Sequence, residues 1–368
     1  MPREIEARGL IFSLRHAPCA HICRYCLVSE TRKGSKLPFA RFERLLHRFY
    51  DWKDSGQTDI SIRTFIGPSF DYDIDTLKGV ARLRARRGNP FEILNLGGLR
   101  MRDAEALKVW LDERLAAGIV GFHTSLAGCD TVHDRWNGRA GDFDYQISIL
   151  RMAGERGMVR QERLFLTQNT LPLFDRLLDI MEGIPGEVRS RIVTPFFYAS
   201  LARRYEDQRL TEEIRDALPE RIAKLRRGRF AEWRSEREWI PVLMETASQP
   251  RKIAMKLDVH EGNIDELESA SCEDIFAKQE RLYREDYRRM PIIRRALRAL
   301  RRSVGPQGLY AAPRPGAEVD GHARAGNRDQ DSAGLSGAPV TAAIAANLFD
   351  DKQSAVAGLL LSCLLCRE

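Results

Sequence analysis

The sequence predicts an α/β fold: a parallel sheet in six β/α units, closed as a partial (β/α)6 barrel or left open. Three observations carry this. Apolar runs of strand length alternate with helical stripes through the first 200 residues. The stripes repeat at i, i+3, i+4 and i+7. Alternation at this spacing calls for parallel strands joined by right-handed crossovers. Candidate strands are 9–14, 59–66, 91–96, 119–124, 163–168 and 191–198. Between them, Phe42, Leu45, Leu46 and Phe49 form one stripe. Leu107, Trp110, Leu111 and Leu115 form a second, with Gly118 as its stop, and Phe174, Leu177, Leu178 and Met181 form a third. Six units are too few for an eight-stranded barrel. In either architecture the chemistry belongs at the C-terminal ends of the strands.

A charged helical stretch over 201–239 follows, then a period-two run over 253–259. His260-Glu261-Gly262-Asn263 reads as a turn, and Ser271-Cys272-Glu273-Asp274 as a capping box opening a further helix. Eleven of the residues 303–339 are Gly or Pro, so this stretch reads as a flexible linker. An Ala/Leu-rich tail over 340–368 has the composition of a short helix. The chain thus divides into a barrel over 1–200, a small α+β accessory region over 201–302 and a tail over 303–368.

At 368 residues, 43% hydrophobic and 30% charged, the chain can bury a core and is neither disordered nor membrane-embedded. No run reaches the ~20 apolar residues of a membrane span, and the start of the chain carries no apolar signal region. A cytoplasmic protein with its seven cysteines as thiols is expected. The formal charge of +7 suggests a polyanion partner. Yet nine arginines against two acidic residues over 281–302 account for all of it. Without interleaved aromatics for base stacking, that segment reads as the solvated face of a helix whose buried stripe is Ile293, Ala296, Leu297 and Leu300. A nucleic-acid partner is not expected.

Three cysteines are packed together as Cys19-Ala-His-Ile-Cys23-Arg-Tyr-Cys26, just after the first strand. They cannot share one helical stripe, so a loop must wrap them around something. Soft thiolates suit zinc or an iron–sulfur cluster. Structural zinc closes with four ligands, often from paired C-x2-C units, and no second pair lies nearby. Three ligands on a four-iron cluster leave one iron open to a cofactor or substrate.

The C-x3-C-x2-C spacing, with Tyr25 before the last cysteine, resembles the cluster loop of the radical S-adenosylmethionine enzymes. Asn95-Leu96-Gly97-Gly98-Leu99 is similar to the turn that ends that family's third strand. Ser125-Leu126-Ala127-Gly128-Cys129-Asp130, followed by His133-Asp134, Gly138, Gly141 and Phe143-Asp144, resembles its peptide- and protein-modifying subgroup, which often carries a SPASM or twitch extension. The likeness covers roughly residues 9–200. It implies a TIM-like partial barrel in which Cys19, Cys23 and Cys26 hold a [4Fe–4S] cluster whose open iron chelates S-adenosylmethionine. Reductive cleavage then yields a 5′-deoxyadenosyl radical that abstracts hydrogen from the substrate. It further implies that Tyr25, Gly67, Ser69, Gly97, Gly98 and Ser125 line the cofactor. The implied partners are a peptide or protein substrate, matured by the reaction, and a flavodoxin or ferredoxin-type electron donor. Alternatives are radical modification of RNA or a small molecule, and a non-catalytic protein that binds a cluster or zinc.

Two departures stand out. The family's Gly-Gly-Glu-Pro is replaced by Gly67-Pro68-Ser69-Phe70, leaving Asp71 or Asp73 to supply the carboxylate. The 253–264 segment resembles a SPASM β-hairpin, but only Cys272 lies in that region, so a cluster-free remnant is expected. Cys129 is a candidate hydrogen donor or else a small buried hydrophobe. His16 and His21 flank the loop as cluster contacts or as histidines satisfied locally. His133-Asp134 reads as an acid–base pair or as a cap. Cys363 and Cys366, C-x2-C in the tail, read as incidental.

Overall fold

The computed structural model describes residues 5–26, 35–67, 69–88, 91–196, 200–226, 233–235, 238, 251–289 and 309–311. Its architecture is α/β with parallel sheets. The order is β1 (Ile5–Arg15), α1 (Phe39–Asp54), β2 (Ser61–Gly67), α2 (Ile74–Ala85), β3 (Ile93–Asn95), α3 (Ala104–Ala116) and β4 (Gly121–Leu126). Then come α4 (Asp130–Asn137), α5 (Asp142–Glu155), β5 (Val159–Leu166), α6 (Phe174–Glu182) and β6 (Val188–Pro195). All six expected strands are present.

Seven of the described strands form two parallel sheets. One has the order β2-β1-β8, with β8 at Arg251–Val259, and the other the order β3-β4-β5-β6. A single run of six strands was expected; among the described residues the ladder breaks between β2 and β3. Here β3 is only three residues long and pairs with β4 alone. The central strand β1 is apolar on both faces, with Leu10, Phe12 and Leu14 fully buried and Ile11 nearly so. That is the pattern of a parallel strand covered on both sides.

Among the described residues the SPASM-like hairpin is not formed. Strand β8 pairs in parallel with β1, from Ile5↔Arg251 to Leu14↔Val259. Its alternation is real, since Ile253, Met255, Leu257 and Val259 are buried. The turn after it does not return a strand. Asn263 folds back, donating to the Asp258 carbonyl at 2.8 Å and accepting from the His260 N–H at 3.0 Å. The chain then enters α9 (Ile264–Ser269) and α10 (Cys272–Arg289). Arg48 of α1 donates to the carbonyls of Leu267, Glu268 and Ala270, satisfying the C-terminal end of α9. As expected, Ser271 caps α10, accepting from the Asp274 N–H at 3.0 Å.

The 201–239 stretch holds a 3-10 segment (Ser200–Gln208), α7 (Glu212–Asp216), α8 (Glu220–Ala223) and β7 (Trp233–Ser235). The supposed linker contributes β9 (Leu309–Ala311), antiparallel to β7. The rest of the linker, the tail with Cys363 and Cys366, and the arginine segment beyond Arg289 with its apolar stripe lie outside the described residues.

The helical stripes of α1 and α6 are buried as read. Leu115 is the exception: it is 42% exposed, while Leu107, Trp110 and Leu111 carry the contact of α3. Strand β5 begins four residues before its expected start. The residues it adds include the polar run Arg160-Gln161-Glu162. Arg160 and Glu162 are nevertheless buried, paired with each other at 2.5 Å, and Glu162 also takes Arg191. No described helix is long and apolar enough to cross a membrane.

Candidate metal centre

The cysteine loop follows β1 and lies across the C-terminal ends of the strands. Backbone bonds seat it on two supports. The first is the turn after β3, where the Ala20 N–H donates to the Gly98 carbonyl at 2.9 Å. The second is the end of α4, where the N–H groups of Ile22 and Arg24 donate to the carbonyls of Asn137 (3.1 Å) and Trp136 (2.8 Å). Both supports need glycine. Gly98 has φ of +80°, and a Cβ there would sit 2.5 Å from Cys19 Sγ. Gly138 has φ of +65°, and its Cβ would sit 2.3 Å from the Ile22 carbonyl oxygen. Gly98→Ala is therefore expected to cost about 1–2 kcal/mol in backbone strain alone and to push Cys19 outward, read as a lower melting temperature and reduced iron uptake.

Cys19, Cys23 and Cys26 are each half-buried, and none of the described cysteines is in a disulfide. Burial pushes the Cys23 thiol well up, and the neighbouring charges of Cys26 and Cys19 push it further. A thiol crowded in this way by two others is stabilised as a thiolate by a cation. Among the described residues no set of three His, Cys, Asp or Glu converges on a single ion. A four-iron cluster takes one thiolate per iron, so its ligands spread over separate corners. This donor set fits such a cluster.

Behind the loop lies a constellation that the sequence reading missed. Asp142, the first residue of α5, is fully buried and accepts from five side chains. Its Oδ1 takes His21 Nε2 at 3.1 Å and the guanidinium of Arg139. Its Oδ2 takes His133 Nε2 at 3.1 Å, Asn137 at 2.6 Å and Gln146 at 2.9 Å. Backbone donors fix the histidine tautomers. Gly98 N–H donates to His21 Nδ1 at 3.2 Å and Ala127 N–H to His133 Nδ1 at 3.1 Å. Each ring therefore carries its proton on Nε2 and aims it at Asp142. Burial alone would raise the carboxyl pKa; the bonds from His133 and His21 override it and hold Asp142 far below the carboxylate range. Burial lowers His21, with Asp142 opposing. His21 and His133 are thus satisfied locally. Asp134 accepts from the N–H groups of Gly141 (2.7 Å) and Phe143 (2.9 Å), closing the turn between α4 and α5.

Tyr25 packs inward. Its ring stacks on Phe196 at 4.5 Å and lies 5.4 Å from Phe165, and its hydroxyl donates to Asn137 Oδ1 at 2.5 Å. Ser69 is buried and donates to the Gly98 carbonyl at 3.1 Å, tying the end of β2 to the Gly97-Gly98 turn. Gly97 N–H is held by Asn95 Oδ1 at 2.7 Å. Gly67 ends β2, and Pro68 lies outside the described residues. Asp71 pairs with Arg102 at 2.5 Å and accepts from the Arg100 N–H, while Asp73 caps α2 through Thr76 N–H at 2.8 Å. Both candidate substitutes for the missing carboxylate are engaged in local structure. His16 meets the Thr76 hydroxyl at 3.0 Å. Cys129 is buried at the start of α4, its Sγ 3.8 Å from the Leu173 carbonyl, and burial pushes its thiol up to about 11. Cys272 is buried against the Arg48 carbonyl.

Ser125 opens into a cavity of about 80 Å³ between the sheets, walled also by Asn95, His123, Gln161 and Arg163. Asn95, His123 and Gln161 occupy one register row, Ser125 and Arg163 the next pair. Burial, and after it the charge of Arg163, hold His123 at about 3. It is uncharged at neutral pH.

No family model matches the chain, and no curated protein matches it. Among solved structures, SuiB of Streptococcus suis bound to its precursor peptide SuiA aligns over 54% of this chain and 42% of its own, at 14% identity and a TM-score of 0.36. SuiB bound to S-adenosylmethionine aligns over 52% and 42%, at 14% identity and a TM-score of 0.35. HemN of Escherichia coli, a coproporphyrinogen III oxidase and radical SAM enzyme, aligns over 71% and 64%, at 14% identity and a TM-score of 0.41. The chain spans about two fifths of SuiB and just under two thirds of HemN.

Proposed function

We propose that this chain is a radical S-adenosylmethionine enzyme in which Cys19, Cys23 and Cys26 hold a [4Fe–4S] cluster. The observation that carries the reading is the seat of the cysteine loop: three thiols at the C-terminal ends of parallel strands, where α/β enzymes concentrate their chemistry. When bound, the cluster and S-adenosylmethionine supply an organic radical able to take hydrogen from an unactivated C–H bond. The chain's own residues orient, exclude water and hold protons in place. Gly98 gives the loop its close approach, Asp142 fixes the ring beside the cysteines, and the Tyr25–Phe165–Phe196 cluster walls one flank. Ser125 and the polar row beneath it offer neutral and cationic groups to a bound molecule. On the likeness of the Ser125–Asp144 segment, the substrate is a peptide or protein matured by the reaction.

The test is anaerobic reconstitution with iron and sulfide, reduction with dithionite and addition of S-adenosylmethionine. Formation of 5′-deoxyadenosine is expected. A protein that binds zinc alone, or that never cleaves the cofactor, sinks the proposal.

A further inference from the structure

We propose that Asn137 sets the reducing power of the centre held by the three cysteines, by keeping the hydroxyl proton of Tyr25 away from the Cys23 sulfur; this deepens the radical reading and rests on it. Asn137 is a positioning residue, acting through Tyr25. It is the last residue of α4, it is buried, and it meets the cysteine loop twice. Its main-chain carbonyl accepts from the Ile22 N–H at 3.1 Å, and its Oδ1 accepts from the Tyr25 hydroxyl at 2.5 Å. Ile22 and Tyr25 lie on either side of Cys23 in the chain. One residue therefore grips the loop before and after that ligand.

The direction of the Tyr25 bond follows from what lies behind Asn137. A carboxamide has one donor end and one acceptor end. The donor end is fixed, because Nδ2 donates to Asp142 Oδ2 at 2.6 Å. Turning the amide over would set Oδ1 against that carboxylate, two acceptors face to face. Asp142 is itself held by His21, His133, Arg139 and Gln146, so it does not move aside. The acceptor end of Asn137 must face Tyr25, and Tyr25 must be the donor.

A phenol has one proton to give. The Cys23 sulfur lies within hydrogen-bond reach of the same hydroxyl, and the Tyr25 ring is pinned on Phe196 at 4.5 Å, so the oxygen stays beside it. With its proton committed to Asn137, that oxygen turns a lone pair toward the sulfur instead of an O–H. Reduction adds negative charge to a thiolate-bound cluster. A donor on the sulfur would stabilise the reduced form and raise the potential, since hydrogen bonds to the sulfurs are among the groups that set it. Withholding the donor leaves the reduced centre less stable and a stronger reductant. One-electron cleavage of a sulfonium calls for such a centre.

The experiment is an anaerobic redox titration of the full, reconstituted chain, without S-adenosylmethionine, read by visible absorbance and by the paramagnetic signal of the reduced cluster. The variants are Asn137→Leu, Tyr25→Phe and the two combined. Asn137→Leu frees the Tyr25 proton to turn to the sulfur, so reduction should become about tenfold more favourable, about 59 mV upward for one electron. Tyr25→Phe removes a proton that the sulfur never received, and its equilibrium should stay within twofold of the unaltered chain. The combined variant has no proton to turn and should return to the unaltered value. That return distinguishes a proton effect from a general loosening of the loop. An unmoved potential in Asn137→Leu overturns the proposal, as does a combined variant that stays raised. A tenfold less favourable reduction in Tyr25→Phe also overturns it, because Tyr25 would then already donate to the sulfur. Should Asn137→Leu fail to hold a cluster, Tyr25→Phe decides alone: an unchanged potential supports the proposal and a tenfold shift overturns it. An unaltered chain that takes up zinc but no iron–sulfur cluster overturns the radical reading, and this inference with it.

Discussion

Changing Cys19, Cys23 and Cys26 together to serine is expected to remove iron binding while leaving the fold intact. The three side chains are half-buried on a loop and carry none of the apolar core. The melting temperature of the metal-free protein should therefore stay within a few degrees of the unaltered chain. Reconstitution should give no charge-transfer absorbance, against about four irons per chain for the unaltered protein. Formation of 5′-deoxyadenosine should fall to background, beyond the 10–100-fold typical of changes one shell further out. Cys129 and Cys272 separate ligands from bystanders. Both are buried and bonded to backbone carbonyls, so Cys129→Ala and Cys272→Ala should each cost stability of about 1 kcal/mol and leave iron content unchanged. Full iron content in the triple variant would end the cluster assignment.

The contrast between these cysteines was partly legible in the sequence. Spacing alone set Cys19, Cys23 and Cys26 apart, because three thiols within eight residues force a loop. Strand identity was equally legible, since apolar runs such as 9–14 report burial directly. Two features were hidden for physical reasons. Pairing partners are non-local: nothing in the alternation of 253–259 says whether its neighbour is a returning strand or β1, about 245 residues earlier in the chain. Buried polar residues also look like surface ones. Arg160 and Glu162 masked the start of β5 because their burial is compensated by each other, which composition does not display. The same effect concealed Asp142. An acidic residue after glycine at a helix start reads as a cap or a solvated first turn. The signal that was available is the coincidence of His21, His133, Asn137 and Gln146 in one chain, and it acquires meaning only once β1, α4 and α5 are brought together.

Asp142→Ala is expected to be the most damaging single substitution in the molecule. It leaves Arg139, His21, His133, Asn137 and Gln146 with donors aimed at an empty site from which water is largely excluded. Breaking a buried charged network this way costs about 3–5 kcal/mol, a fall in melting temperature of roughly 4–8 °C for a chain of this length. Asp142→Asn separates charge from shape. It keeps the volume, but one oxygen becomes an NH2 facing N–H donors, and Arg139 loses its counter-charge. Its cost should approach that of alanine. The pH dependence has a definite sign. The folded carboxyl titrates far below its unfolded value. Its contribution is therefore complete above about pH 4 and is lost only as pH falls below that. Between pH 5 and 8 the destabilisation in Asp142→Asn should be flat, and it should shrink only in stronger acid. The histidines then divide the work of the carboxylate. His21 joins it to the cysteine loop and to Gly98, His133 to the turn after β4. His21→Leu should lower both stability and iron retention, whereas His133→Leu should lower stability with smaller loss of iron. Equal iron loss from the two would mean that Asp142 serves the fold alone and does not hold the cysteines in place.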